Sequence, residues 1–269
     1  MVPDPATISR EEFDDFLSQY QPLLESVSVE KSARNGQKSL VELDQYRYVE
    51  APKHFRLDMP ERAMGHDDVK ALVEWKLRHG KFRPMLMKLV TSNDASTVTR
   101  VVGDALQTYR DTSDSSAAVD ILTKLKGIGP ATASLLLSVH DPERVLFFSD
   151  EAFYWLCCGG KRDAIKYNKK EYAALGEEAQ KLIERLGVRA VDLEKVAYVV
   201  MNQTAGGFDT KDDKKDSPED QVTRRDLSKN SSTARSQSEK RKRDPGEKKV
   251  VAAPLRRSKR TRHSVEEQG

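Results

Sequence analysis

Residues 122–137 read LTKLKGIGPATASLLL, and this stretch decides the fold. Leu122 and Leu125 end one short apolar-faced segment, Leu135, Leu136 and Leu137 fill a second, and Gly127-Ile128-Gly129 joins them. The pattern predicts a helical hairpin over residues 117–139. The glycines permit positive φ and close approach of a second backbone. Ile128 is placed to plug the gap between the helices, and Ala133 is small enough to let them cross closely. Pro130 suits a first helical turn, where its missing N–H costs little. That turn offers unpaired amides at the positive end of the helix dipole, an arrangement suited to a phosphate oxygen. Lys124 and Lys126 flank it. Lys124, Lys126, Gly127, Ile128, Gly129 and Thr132 are therefore the predicted DNA-backbone contacts, of the kind that position a duplex without reading its sequence. A plain hairpin packed in a core would use the same residue types, and that reading stays open.

Helical periodicity continues on both sides of the hairpin. Apolar residues at helical spacing predict helices over 11–24, 67–79, 83–90, 95–109, 150–158, 177–186 and 192–203, with Gly80 and Gly187 as stops. No alternating strand pattern and no internal repeat is present, so the class is all-α. Residues 37–62, with Tyr46, Tyr48, Pro52 and Pro60, read as a long loop. In 75–84, WKLRHGKFRP, aromatic and basic residues meet at a helix end and offer a base-stacking, phosphate-contacting surface. Trp75 itself is expected in the core, as large aromatics usually are.

Beyond the hairpin, residues 145–156 read VLFFSDEAFYWL, an extended segment leading into a helix that begins Asp150-Glu151. With the hairpin, this resembles the helix-hairpin-helix (HhH-GPD) DNA glycosylase superfamily. The resemblance covers residues 120–156 well and the rest of 10–205 only as helical architecture. It implies a glycosylase-like helical domain, DNA backbone phosphates as partner, and a role in DNA repair. Asp150 matches the family aspartate that stabilises the cationic sugar or helps activate water; a carboxylate is suited to a developing oxocarbenium. The spacing from the hairpin is slightly longer than in some members, which leaves Glu151 open for the same role. Ala131 stands where bifunctional members carry their Schiff-base lysine, so strand cleavage through an imine is not implied. The resemblance thus leaves a monofunctional glycosylase of the alkylated-base type, or a relative without catalysis that binds DNA backbone or serves chromatin as an interaction module. Capping alone would also place Ser-Asp-Glu before an apolar helix.

Composition limits the remaining choices. The chain has 269 residues and only two cysteines, the adjacent Cys157 and Cys158, which close no useful loop and cannot supply an iron–sulfur cluster. The five histidines show no metal-ligand spacing with them, so neither metal nor cofactor is expected. No apolar run is long enough for a membrane span, and 1–10 lacks a signal-peptide pattern. Residues 1–200 hold 28 Lys and Arg against 31 Asp and Glu, whereas 221–263 hold 15 against 4. An acidic body argues against a wide nucleic-acid surface on it. From Gly206 onward the composition turns polar and charged, so 1–205 is expected to fold and 206–269 to be a disordered basic tail. Lys240, Arg241, Lys242 and Arg243, then Arg256, Arg257, Lys259 and Arg260, form two clusters that fit a nuclear localisation signal read by an import receptor, or a nonspecific nucleic-acid patch.

Overall fold

A computed structural model describes residues 2–31 and 36–203. The predicted tail and both basic clusters lie outside the described residues. Within them the chain is all-α, with twelve α-helices and no strand. Among the described residues no helix is long and apolar enough to cross a membrane, and no group of three or more His, Cys, Asp or Glu is gathered to hold a metal ion.

The hairpin forms where its pattern places it. Helix α8, Ser115–Leu122, begins on Asp114, whose carboxylate accepts from the amides of Ser116 and Ala117. Helix α9, Pro130–Ser138, is buried at every position after Pro130, which is why its sequence is apolar or small all round. Ile128 and Ala133 are both buried. Gly127 has φ +76°, and a Cβ there would lie 2.9 Å from Leu89 Cβ and 3.2 Å from Val90 N. The backbone it admits is that of α6, Leu86–Thr91. Gly129 corrects the expectation that both glycines are needed for positive φ. It has φ −89° and ψ 178°, an extended N-cap conformation open to any residue. Asn93 latches the turn, donating from Nδ2 to the Lys126 carbonyl (2.9 Å) and accepting the Lys126 amide on Oδ1 (2.8 Å).

Helix α9 packs on α8 and on α5, His66–His79; two further helices are α7, Ala95–Thr112, which packs on α8, and α10, Asp150–Cys158. Two more, α11, Lys169–Leu186, and α12, Ala190–Gln203, follow, α11 beginning earlier than its periodicity indicates because Asn168 caps it. The single helix expected over 11–24 is broken at Gln19 into α1, Arg10–Ser18, and α2, Tyr20–Glu30. Pro22 lacks an N–H to bond backward, so it sits comfortably only in a new first turn.

The largest correction concerns 37–62. In place of a long loop stand α3, Leu40–Gln45, a π-helical turn, Tyr46–Glu50, and α4, Ala51–Phe55. A capping box starts this run: Ser39 Oγ accepts the Glu42 amide and Glu42 accepts the Ser39 amide. Burial of polar side chains then continues it. Arg47 is fully buried, its Nη2 donating to Ser138 Oγ (2.7 Å) and lying 3.3 Å from Glu194, and its guanidinium faces the rings of Tyr48 and Trp75. Tyr48 donates to Glu194 (2.6 Å), so both tyrosines of this stretch serve the interior: Tyr46 donates to Asp68 (2.7 Å).

Candidate active-site cleft

Where the C-terminus of α5 meets the N-termini of α9 and α10, the surface opens into a cleft of about 450 Å³. Asp150 and Glu151, the first two residues of α10, stand in its wall, together with Ala131 from the first turn of α9. Two local contacts aim them there. Ser149, not Asp150, is the N-cap, its Oγ accepting the Ala152 amide (3.0 Å). Behind it the buried Ser134 of α9 accepts the Phe148 amide (2.9 Å), fixing the segment that delivers α10. The capping duty that could have explained Asp150 is thus carried by its neighbour.

Asp150 is held from two sides. Tyr167 donates to its Oδ1 (2.6 Å), and the Lys81 ammonium lies 3.7 Å from Oδ2. Tyr167 reaches it from a left-handed backbone, φ +50°, rare for a tyrosine and strained enough to require support from its surroundings. Glu151 is in a different state from an ordinary surface glutamate: burial, then the adjacent Asp150 charge, pushes its carboxyl up to about 7. The cleft therefore holds two neighbouring carboxyls, one of them able to keep its proton near neutrality.

Six cationic side chains, Lys31, Lys76, Arg78, Lys81, Arg83 and Arg162, line the same cleft against those two carboxyls. The acidic balance of residues 1–200 is therefore inverted locally, where it matters for an anionic ligand. Phe82 stands at the mouth between Lys81 and Arg83 with 69% of its surface exposed. Trp75 is fully buried, as the sequence suggests, and stacks on His79 at 4.5 Å between centroids. His79 in turn lines the cleft, and burial, followed by the charges of Lys31 and Arg47, pushes its imidazole down to about 3.

Of the hairpin only Ala131 lines the cleft; none of the six predicted backbone contacts does. Lys124 and Lys126 are exposed. The Ile128 amide is already donated to the Leu125 carbonyl (3.1 Å), and Thr132 is buried with its hydroxyl unpartnered, so neither Ile128 N–H nor Thr132 Oγ1 is presented to a phosphate. The amides of Gly127 and Gly129 meet no acceptor among the described residues. Tyr167, Tyr198, Arg162 and His79 belong to the cleft without having been singled out from the sequence. Only His79, inside the aromatic and basic run 75–84, carried a signal. Comparison with protein-family models, with curated proteins and with solved structures finds no match to this chain.

Proposed function

We propose that this chain is a nuclear DNA-binding protein that removes a base from DNA by hydrolysis, a monofunctional glycosylase of helix-hairpin-helix type. The observation that carries the reading is the pair Asp150 and Glu151 in the wall of an open, cation-lined cleft, with the N-cap role taken by Ser149. An extruded nucleotide would set its base in the cleft and its phosphates against the cations of the mouth. Phe82 offers a face on which a base can stack. As the C1′–N bond breaks, its electron pair leaves with the base nitrogen, which takes the proton of Glu151. The Asp150 carboxylate stabilises the cationic sugar and orients the water, whose oxygen bonds to C1′ as its proton passes to the Glu151 carboxylate and restores the acid. A carboxyl that keeps its proton beside a second carboxyl suits this division of labour. Ala131 lines the cleft without an amine, so a covalent imine is not part of the scheme.

Measuring base release from duplexes that carry single lesions tests this directly. Wild type releases a base from at least one of them, and Asp150→Asn does not. The clusters at 240–243 and 256–260 are assigned to nuclear import. Alanine replacement of both is expected to move a fluorescent fusion to the cytoplasm, and an unchanged distribution would refute the assignment.

One observation favours a second reading. The freedom of Gly127 is spent on packing against α6, and the Ile128 amide is spent within the hairpin. On that reading the hairpin is a structural element and the domain a non-catalytic interaction module. Equal duplex affinity of wild type and the Lys124→Ala/Lys126→Ala double variant would favour it.

A further inference from the structure

Tyr167 stands in the wall of the cleft at a position its backbone does not favour. Glycine or asparagine would adopt its φ of +50° at lower cost, so the presence of a tyrosine points to its side chain. The chain is pinned on both sides of it. Glu171 accepts the Lys166 amide on Oε2 (2.9 Å), and Asn168 caps α11 by accepting the Glu171 amide (2.9 Å). The ring is pinned as well: Phe148 meets it at 5.6 Å between centroids, and the Arg83 guanidinium lies 5.8 Å from its centroid. From this buried, fixed ring the hydroxyl donates to Asp150 Oδ1 at 2.6 Å, the short distance of a hydrogen bond to a charged oxygen.

Asp150 needs such a partner. Ser149 holds the cap of α10, so capping does not fix the Asp150 carboxylate. Lys81, 3.7 Å from Oδ2, is too far for a hydrogen bond, and its side chain is 59% exposed, so water screens the pair and leaves it weakly oriented. We propose that Tyr167 is the positioning residue of base release: by occupying Oδ1 it leaves Oδ2 to face the cationic sugar and the attacking water. Tyr167 touches neither of them. It acts through Asp150, by setting the carboxylate in the orientation that the transition state requires. This role rests on the reading of Asp150 as the carboxylate that stabilises the sugar.

The test is a double-mutant cycle on the full chain, read as single-turnover release at saturating protein from duplexes that each carry one alkylated, deaminated or oxidised base. Tyr167→Phe keeps the ring and removes the hydroxyl. Release is expected to slow at least about tenfold, the worth of one hydrogen bond to a charged group, with duplex affinity within about twofold of wild type. Tm should fall by no more than about 4 °C. Added to Asp150→Asn, the same change should slow release no further, because the carboxylate it positions is gone. Release at the wild-type rate in Tyr167→Phe would overturn the proposal. Losses that multiply in the double variant would overturn it too, by making Tyr167 act independently of Asp150. So would a slowing matched by lost duplex affinity and a larger fall in Tm, which would make the hydroxyl structural. Each of these outcomes leaves wild-type release in place, and with it the reading of the cleft. No release by wild type from any duplex overturns both.

Discussion

A carboxyl that must lose its proton inside a partly buried cleft weakens the folded chain, and Glu151 is such a group. Its folded-state proton affinity is raised from the ordinary glutamate range to about 7, so the proton is held more tightly in the folded than in the unfolded chain. The stability it contributes is complete below about pH 4.5 and is lost as pH rises through about 7. Glu151→Gln is therefore expected to raise stability at pH 8 while changing little at pH 4.5. Urea midpoints at the two pH values check this, and an equal shift at both would contradict it. The same variant should lose base release, because glutamine has no acidic proton to give. Gain of stability with loss of activity is the signature of a residue kept for chemistry.

The hairpin shows what an element-level reading can and cannot reach. Its helices were legible because burial on all sides forces an apolar or small residue at every position of α9, and Gly-Ile-Gly-Pro fixes the turn between them. The partner of that turn was not legible. A glycine next to a helix start reads as a phosphate site, whereas here α6 fills the space. Gly127→Ala is accordingly expected to cost about 2–4 kcal/mol, from left-handed strain plus the Leu89 and Val90 contacts. Asn93→Ala, which removes the latch on Lys126, should cost about 1–3 kcal/mol. Denaturant unfolding measures both; stability unchanged in Gly127→Ala would refute the packing role. Backbone recognition is better probed through Lys124 and Lys126. Their double alanine variant should lower the salt dependence of duplex binding by a slope of about 2, alike for all sequences. The run 37–62 escaped periodicity because its helices are short and bury polar side chains, although the Ser39-to-Glu42 capping box was there to be read. Tyr167 and Tyr198 escaped for a different reason: each is a lone residue that only tertiary packing brings to Asp150 and Glu151.

Across the whole molecule, net charge is a poor guide to the site. The body is slightly acidic, yet its cleft gathers six cations around two carboxyls, so association with DNA should depend on this face and fall steeply with salt. Interior chemistry also sets the acid limit of the fold. Burial pushes His79 down to about 3 and His140 down to about 4, so both stay neutral in the folded chain while the unfolded chain takes up two protons near pH 6.5. Their stabilisation is present above that pH and lost as pH falls, contributing a slope of about 2 kcal/mol per unit between pH 6 and 5. Urea midpoints across that range should show it, and a flat profile would contradict the buried, neutral assignment. The central claim is that the cleft excises a base with its paired carboxyls, and single-turnover base release from lesion-bearing duplexes tests it most directly. The expected result is release by wild type from at least one lesion, slowed at least about 100-fold in Asp150→Asn with duplex affinity retained. Release by Asp150→Asn at the wild-type rate, or no release by wild type from any lesion, would contradict it.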